Sequence, residues 1–174
     1  MKRFLILALV LGALVRIAAA EEAEQPAGRL AILKKMQAFK GFVGTWKVET
    51  TTSTPAGDQK SSDETVVEYT LEGRYVQATS KMDGKISCIQ MGTYDQDKGC
   101  YRWWSFNASG DTTELKGEYD TEKKEFKWKG TDSAGNGIED KDTFPDENTF
   151  TFSVLFTPAD KTPTSRINGK ATRK

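Results

Sequence analysis

The sequence predicts an all-β fold, an up-and-down antiparallel β-barrel of about ten strands preceded by one short helix. The first observation is a pattern that occurs twice: Gly92–Trp104 reads GTYDQDKGCYRWW, and Gly117–Lys129 reads GEYDTEKKEFKWK. Each copy is an alternating run, a polar turn and a second alternating run, which is typical of a β-hairpin. The second observation is that short alternating segments joined by turn signals continue from Phe42 onward without another helical pattern. Consecutive antiparallel strands favour a barrel, because closure removes exposed edge strands.

The N-terminal residues 1–20 are predicted to be a secretory signal peptide. A basic start, Met1-Lys2-Arg3, precedes an apolar run, Phe4–Val15, that is short for a membrane span. Ala18-Ala19-Ala20 then has the pattern of a cleavage site. An uncleaved anchor is the alternative. We therefore expect an exported protein, periplasmic or extracellular, whose mature chain begins at Glu21.

Residues 21–41 are predicted to form a polar lead-in and a short amphipathic helix, and residues 42–174 the barrel. Leu30, Leu33 and Phe39 recur at helical spacing. The predicted strands, in chain order, cover Trp46–Thr50, Val67–Leu71, Arg74–Lys81, Lys85–Tyr94, the remaining arms of the two hairpins, Ile138–Phe144, Thr149–Thr157 and Ser165–Arg173.

Composition excludes several classes of site. The chain has 174 residues and no histidine, which removes His-based catalytic triads, His-ligated zinc and haem with a proximal histidine. Lys and Arg (25) balance Asp and Glu (25), and no basic patch predicts a nucleic-acid partner. The hairpin register places Cys88 and Cys100 on the order of 20 Å apart, so we expect two separate thiols. We predict no metal and no cofactor.

The alternation of side chains along each strand decides which residues face inward. Lys127 and Lys129 flank Trp128, so Trp128 faces the core together with Phe126 and Tyr119, which lie opposite each other. The same rule in the first copy places Tyr94 opposite Tyr101. Other residues predicted to face inward are Trp46, Ile86, Cys88, Gln90, Trp103, Phe150, Phe152 and Phe156.

These inward side chains suggest a cavity for a small apolar or aromatic molecule, with Gln90 and Ser105 as polar anchors. The predicted ligand-binding residues are Tyr69, Gln90, Tyr94, Tyr101, Trp103, Ser105, Tyr119, Phe126, Trp128 and Phe152. The alternative is a filled core. A barrel of about eight strands is just filled, whereas about ten strands leave more room.

The same register leaves four apolar side chains on the outer face. Met91 lies opposite Trp104, and Ile89 lies opposite Phe106. Monomers seldom leave such a patch bare. We expect the helix over Leu30–Phe42 to cover it. The alternatives are a bulge that turns these residues inward, or a docking face for a second copy, another partner chain or an envelope surface.

The acidic segments are interpreted without a catalytic role. Asp95-x-Asp97-x-Gly99 lacks most ligands of a calcium loop and is interpreted as a turn. Glu139-Asp140-Lys141-Asp142 is interpreted as the solvated outer face of a strand. Because the inward set contains no Asp or Glu, no catalytic residue is predicted. The rival hypothesis is a histidine-free enzyme, an isomerase or lyase using carboxylate or Tyr groups inside the barrel, which a buried inward acid would favour.

Three ordered motifs carry a family resemblance. Phe42–Trp46 (FVGTW) resembles the G-x-W opening of lipocalin-like (calycin) barrels. With Leu71–Gln77 (LEGRYVQ) and the repeated G-x-Y-D at Gly92 and Gly117, the chain resembles the bacterial domain-of-unknown-function family 1579. The resemblance implies a lipocalin-like barrel, often exported, without an established activity. It also implies structural roles for Gly44 and Trp46, with Arg166 or Arg173 stacked on Trp46.

From these features together we expect an exported lipocalin-like barrel. It would bind a small apolar or aromatic molecule or serve as an interaction module of the cell envelope.

Overall fold

The computed structural model describes residues 28–160 and 164–174. The predicted signal peptide, residues 1–20, lies outside this described part. The chain divides after Lys35 into two units. In the first unit, residues 28–35 are α-helical, and the helix ends at residue 36. The second unit, Met36–Lys174, contains two short 3-10 helices, Gln37–Gly41 and Leu71–Gly73, and every strand of the described residues.

None of the helices in the described ranges is long and apolar enough to cross a membrane.

Ten antiparallel strands of the described chain close into a barrel, as the sequence predicts. They are β1 (Gly44–Thr54), β2 (Gly57–Thr70), β3 (Tyr75–Met82), β4 (Lys85–Asp95), β5 (Cys100–Asn107), β6 (Thr112–Asp120), β7 (Glu125–Asp132), β8 (Gly137–Asp146), β9 (Thr149–Thr157) and β10 (Ser165–Arg173). Each strand pairs with the next in sequence, and β1 pairs with β10 to complete the ring. No strand edge is therefore left unpaired in this ring.

The predicted pairing of both hairpins is confirmed. Tyr94 lies opposite Tyr101 between β4 and β5, and Tyr119 lies opposite Phe126 between β6 and β7. Cys88 pairs with Asn107, and both cysteines are free thiols. The alternation rule thus places most inward residues correctly.

Ile86 is an exception, because its side chain is 52% exposed and not inward. The register shifts between Ser80 and Lys81, where Cys88 pairs with Ser80 but Ile86 pairs with Lys81. Ser87 is the extra residue of this bulge. A bulge reverses the face on which the following residues point, so counting by twos from Cys88 fails there.

The repeated hairpin has a packing reason. Gly92 pairs with Trp103, and Gly117 pairs with Trp128. A methyl group on either glycine would lie 2.4 Å from the Trp103 ring or 2.2 Å from the Trp128 ring. Only glycine lets each indole lie flat across the neighbouring strand, so both copies keep the same pair of residue types.

One end of the barrel, here called the closed end, is filled by the segment that precedes β1. Phe39 is 0% exposed, and its ring centroid lies 5.4 Å from that of Tyr101 and 5.2 Å from that of Phe126. The hydroxyl of Tyr69 donates a hydrogen bond of 2.9 Å to the carbonyl of Met36. The 3-10 helix Gln37–Gly41 therefore packs inside the barrel at its closed end.

Trp46 closes the same end under a basic residue, and that residue is Arg173. The Arg173 guanidinium carbon lies 4.3 Å from the Trp46 ring centroid. Its Nη1 and Nε donate hydrogen bonds to the carbonyls of Val43 (2.8 Å) and Glu147 (2.9 Å). Arg166, the other candidate, is exposed and donates instead to the Ser153 hydroxyl at 3.1 Å.

Candidate functional site

The barrel encloses a cavity of about 300 Å³ beyond the closed end. Its aromatic floor consists of Phe42, Trp103, Trp128, Phe150 and Phe152. The remaining wall is built from positions further along β1 to β5, β8 and β9, and includes Val48, Thr50, Thr65, Ala78, Ser80, Cys88, Gln90, Asn107 and Val154. A cavity of this volume lies at the lower limit for small-molecule sites.

Three carboxyl groups also line this cavity, which corrects the sequence interpretation. Asp140 and Asp142 of β8 and Asp63 of β2 face it. The segment Glu139–Asp142 is therefore not wholly a solvated outer face, because every second residue of a strand points to the opposite side. Glu139 and Lys141 point outward, and the two aspartates point inward.

The flanking residues of β8 could have revealed this orientation. Ile138 and Phe144 are buried, 3% and 7% exposed, and they share the inward parity of Asp140 and Asp142. A strand with charged residues on both faces shows no alternation of polar and apolar residues in its middle. Only the apolar residues at its two ends then indicate which face is inward. The prediction that no acid faces inward is wrong for this reason.

Asp142 is hydrogen-bonded to Trp128, one residue of the aromatic floor. Its Oδ2 accepts a hydrogen bond of 2.7 Å from Trp128 Nε1, and the residue is 7% exposed. Asp140 lies two residues earlier on the same face. Asp140 Oδ1 and Asp63 Oδ1 are buried and have no hydrogen-bond partner. Buried acceptors without partners are uncommon in folded proteins, and they mark a place where a donor is missing.

Burial controls the protonation of these acids. It raises the pKa of the Asp142 carboxyl to about 7, although the hydrogen bond from Trp128 acts in the opposite direction. Burial, and then the charge of Asp142, raise the pKa of Asp140 well above its usual range. Burial also raises the pKa of Asp63. The pair in β8 therefore titrates as a unit at a higher pH than ordinary carboxyl groups.

The predicted ligand-binding residues fall into two groups. Gln90, Trp103, Trp128 and Phe152 line the cavity. Ser105 lies beside them, and its hydroxyl accepts a hydrogen bond of 3.2 Å from Gln90 Nε2.

The other predicted residues, Tyr69, Tyr94, Tyr101, Tyr119 and Phe126, belong to the closed end. Tyr94 contacts Tyr101 edge to face at 5.0 Å, and Tyr119 lies 4.6 Å from Phe126. Burial, and then the neighbouring Tyr94 and Tyr119, raise the pKa of Tyr101 to about 12, so its hydroxyl stays protonated at neutral pH. Tyr69 and Tyr119 also line a second, more open cleft at this end, which includes Lys40 and Arg173.

The outer apolar patch exists as predicted, with Ile89 37% and Phe106 49% exposed. Met91 pairs with Trp104, and the Arg102 guanidinium covers the Trp104 ring at 4.6 Å. The predicted cover is wrong for residues 36–42, because Phe39 and Phe42 pack against inward rings instead.

No group of three or more His, Cys, Asp or Glu side chains within residues 28–160 and 164–174 is arranged to hold a metal ion. The three cavity carboxyls come from β2 and β8, which are separated in the ring by β1, β10 and β9. The arrangement can offer hydrogen-bond acceptors and negative charge to an enclosed molecule.

Comparisons with known proteins agree with this architecture. A family model described as protein of unknown function (DUF1579) matches residues 33–173. The structure is similar to the S-type phycobiliprotein lyase CPES from Guillardia theta, with a TM-score of 0.55 at 8% identity over 79% of this chain and 91% of that chain. A protein of unknown function from the DUF3598 family of Nostoc punctiforme gives a TM-score of 0.49 at 8% identity over 78% of this chain and 48% of that one. At such identities the likeness is one of fold. No curated protein matches the sequence significantly.

Proposed function

The chain belongs to the DUF1579 family of proteins of unknown function, and we propose that this member binds a small, largely apolar or aromatic molecule inside its barrel. The observation that carries the proposal is the cavity of about 300 Å³ with a floor of five aromatic residues. Such concave sites, mostly apolar with a few polar groups, are typical of small-molecule binding. The barrel fold shared with a phycobiliprotein lyase supports an interior site only through its architecture.

A neutral aromatic probe tests this proposal. N-phenyl-1-naphthylamine should bind with one site per chain and gain fluorescence on leaving water, because its rings would lie on the floor of the cavity. The variant Val154→Trp places a large side chain on the cavity wall and should weaken binding at least about tenfold. The probe titration is followed by fluorescence at constant protein concentration.

The matched control is Val66→Trp, because Val66 lies on the outer face of β2 and is 37% exposed. That variant should bind the probe as the wild-type protein does. Non-saturable binding in the wild-type protein, or equal binding by both variants, would instead show that the probe does not bind in this cavity.

Catalysis is a second candidate function, because the inward acids that would favour it are present. Asp142 accepts a hydrogen bond from Trp128, lies two residues from Asp140 on the same face of β8, and offers a carboxyl with a raised pKa, as general acid–base catalysis requires. Tyr101 does not offer such a group at neutral pH, since its pKa is raised to about 12. Compounds that co-purify with the protein from its own source should be incubated with the wild-type protein and with Asp142→Asn. Chromatography and mass spectrometry would detect any conversion. Conversion by the wild-type protein alone would favour an isomerase or lyase over a binding protein.

We also propose that the protein is exported to the periplasm or beyond after removal of residues 1–20. The basic start, the short apolar run and Ala18-Ala19-Ala20 support this proposal. N-terminal sequencing of the exported protein should begin at Glu21. A mature pool that keeps Met1 would contradict it.

Self-association through the outer patch stays a prediction. Ile89, Met91, Trp104 and Phe106 offer apolar surface on β4 and β5. Sedimentation of the wild-type protein and of Trp104→Glu would detect it as a dimer that only the wild-type protein forms.

A further inference from the structure

The charges inside the cavity are of one sign. Among its described lining residues, the titratable side chains are Asp63, Cys88, Asp140 and Asp142, and neither Lys nor Arg is present. The side chains that β7 and β9 contribute beside the two aspartates of β8 are uncharged. A molecule in this cavity therefore meets carboxyl groups without a competing cation from the lining.

The outer face of β8 is different, because its charges are paired. Lys129 Nζ lies 2.9 Å from Glu139 Oε1, and Lys141 Nζ lies 3.4 Å from Glu125 Oε2, so both form ion pairs. Glu139 and Lys141 thus each have an opposite charge within reach, whereas Asp140 and Asp142 alternate with them and face the cavity. A buried carboxylate without a cation is unfavourable, and a cation brought by a ligand removes this cost.

The inward acids also have free acceptor capacity. Asp142 is more than nine-tenths buried, and Trp128 Nε1 bonds its Oδ2. Asp140 Oδ1 and Asp63 Oδ1 are buried and unbonded. Two N–H groups on one planar cationic group can bond a carboxylate side by side, which makes an amidinium a good chemical match.

Resting on the proposed binding function, we infer that the bound molecule carries a cationic nitrogen group, an amidinium or protonated amine, which Asp140 and Asp142 bind while its aromatic body packs on Trp103 and Trp128. The selectivity would then come from charge at one end of the molecule and from apolar contact at the other. Neutral molecules of the same shape would bind more weakly, because they leave the carboxyl groups without a counterion.

A pair of isosteric probes tests this inference. 2-Naphthamidine is a flat cation, and 2-naphthamide is its neutral counterpart of nearly equal size. At pH 8, calorimetry of the full mature chain should give an affinity for 2-naphthamidine about 10 to 100 times that for 2-naphthamide, the ratio expected for a charge-assisted hydrogen bond. The affinity for the cation should fall as the pH is lowered through 7 to 5, because protons then compete for the carboxyl groups. The affinity for the amide should change little.

Isosteric variants assign the effect to residues. Asp140→Asn and Asp142→Asn should each reduce the ratio of affinities about tenfold while keeping the binding of 2-naphthamide, which also shows that the barrel is folded. The matched control is Glu139→Gln on the outer face of the same strand, and it should leave the ratio unchanged.

The outcomes separate the two proposals. Equal affinities for the two probes in the wild-type protein, or a ratio unchanged in both Asn variants, would overturn the cation inference and leave the binding function standing. Absence of binding by either probe, with no binding of the neutral naphthylamine, would overturn both.

Discussion

Replacing Trp46 with alanine should lower the free energy of unfolding by about 3–5 kcal/mol, the range for a buried aromatic side chain. Trp46 is 1% exposed, and its Nε1 donates a hydrogen bond of 2.6 Å to the carbonyl of Phe42. Its ring also packs edge to face on Phe150 at 5.0 Å. Loss of the indole removes all of these contacts at the closed end. Urea unfolding followed by circular dichroism measures the change.

The two arginines provide a matched comparison. Arg173→Ala loses the stacking on Trp46 and the hydrogen bonds to Val43 and Glu147, and should lose about 1–3 kcal/mol. Arg166→Ala changes an exposed residue and should stay within about 0.5 kcal/mol of the wild-type protein. If Trp46→Ala does not fold, Trp46→Phe keeps part of the ring contact and should still lose about 1–3 kcal/mol. An unchanged midpoint in Trp46→Phe and Arg173→Ala would show that this contact does not stabilise the barrel.

Replacing Asp142 with asparagine should stabilise the protein at pH 8 by up to about 4 kcal/mol, since each pKa unit corresponds to about 1.4 kcal/mol. The folded protein raises the pKa of Asp142 to about 7, so between about pH 4 and 7 it binds more protons than the unfolded chain. The stability contributed by this group is present at low pH and is lost as the pH rises through that window. The amide oxygen of asparagine can still accept the hydrogen bond of Trp128.

The measurement is the free energy of unfolding of both proteins from pH 4 to pH 8. Hydrogen bonds from Lys123 lower the pKa of the Asp120 carboxyl, so the stability contributed by Asp120 changes with pH in the opposite direction. Both proteins contain Asp120, so this contribution cancels in the difference between them. Glu139→Gln on the outer face of β8 serves as the control. Parallel pH profiles for the wild-type protein and Asp142→Asn would contradict the burial of an ionisable carboxyl at this position.

A stabilised Asp142→Asn variant would also bear on function. A residue that lowers the stability of its own protein is often kept for its chemistry. The same variant is expected to lose preference for a cationic ligand, so stability and selectivity should change together. This combination separates a binding carboxyl from one that merely supports packing.

Much of the barrel could be predicted from local patterns. Charged and apolar residues alternate in the hairpin at Gly117–Lys129, so its register follows from the sequence. The hairpin at Gly92–Trp104 has the same register because the two copies match residue by residue. The number of strands also follows from the alternating segments, whereas the closure by a basic residue stacked on Trp46 is what the family resemblance implies. The hairpin registers depend only on neighbours within a strand or across one turn.

The remaining features depend on packing between distant parts of the chain. The bulge at Ser87 reverses Ile86, and no turn residue marks it. Phe39 enters the barrel and not the outer patch, because the inward rings of β5 and β7 offer it a complementary surface. Arg173, and not Arg166, reaches Trp46 because the end of β10 pairs with the start of β1.

The three acids of the cavity show most clearly the difference between what local sequence patterns predict and what depends on packing between distant strands. The local sequence pattern predicts that β8 is a charged strand between Ile138 and Phe144. Closure of the barrel is what makes Asp140, Asp142 and Asp63 line the same cavity, because β2 and β8 are far apart in the chain and on different arcs of the ring. Alternation along a strand is a local rule, but what lies across a barrel is set by closure, which involves every strand at once.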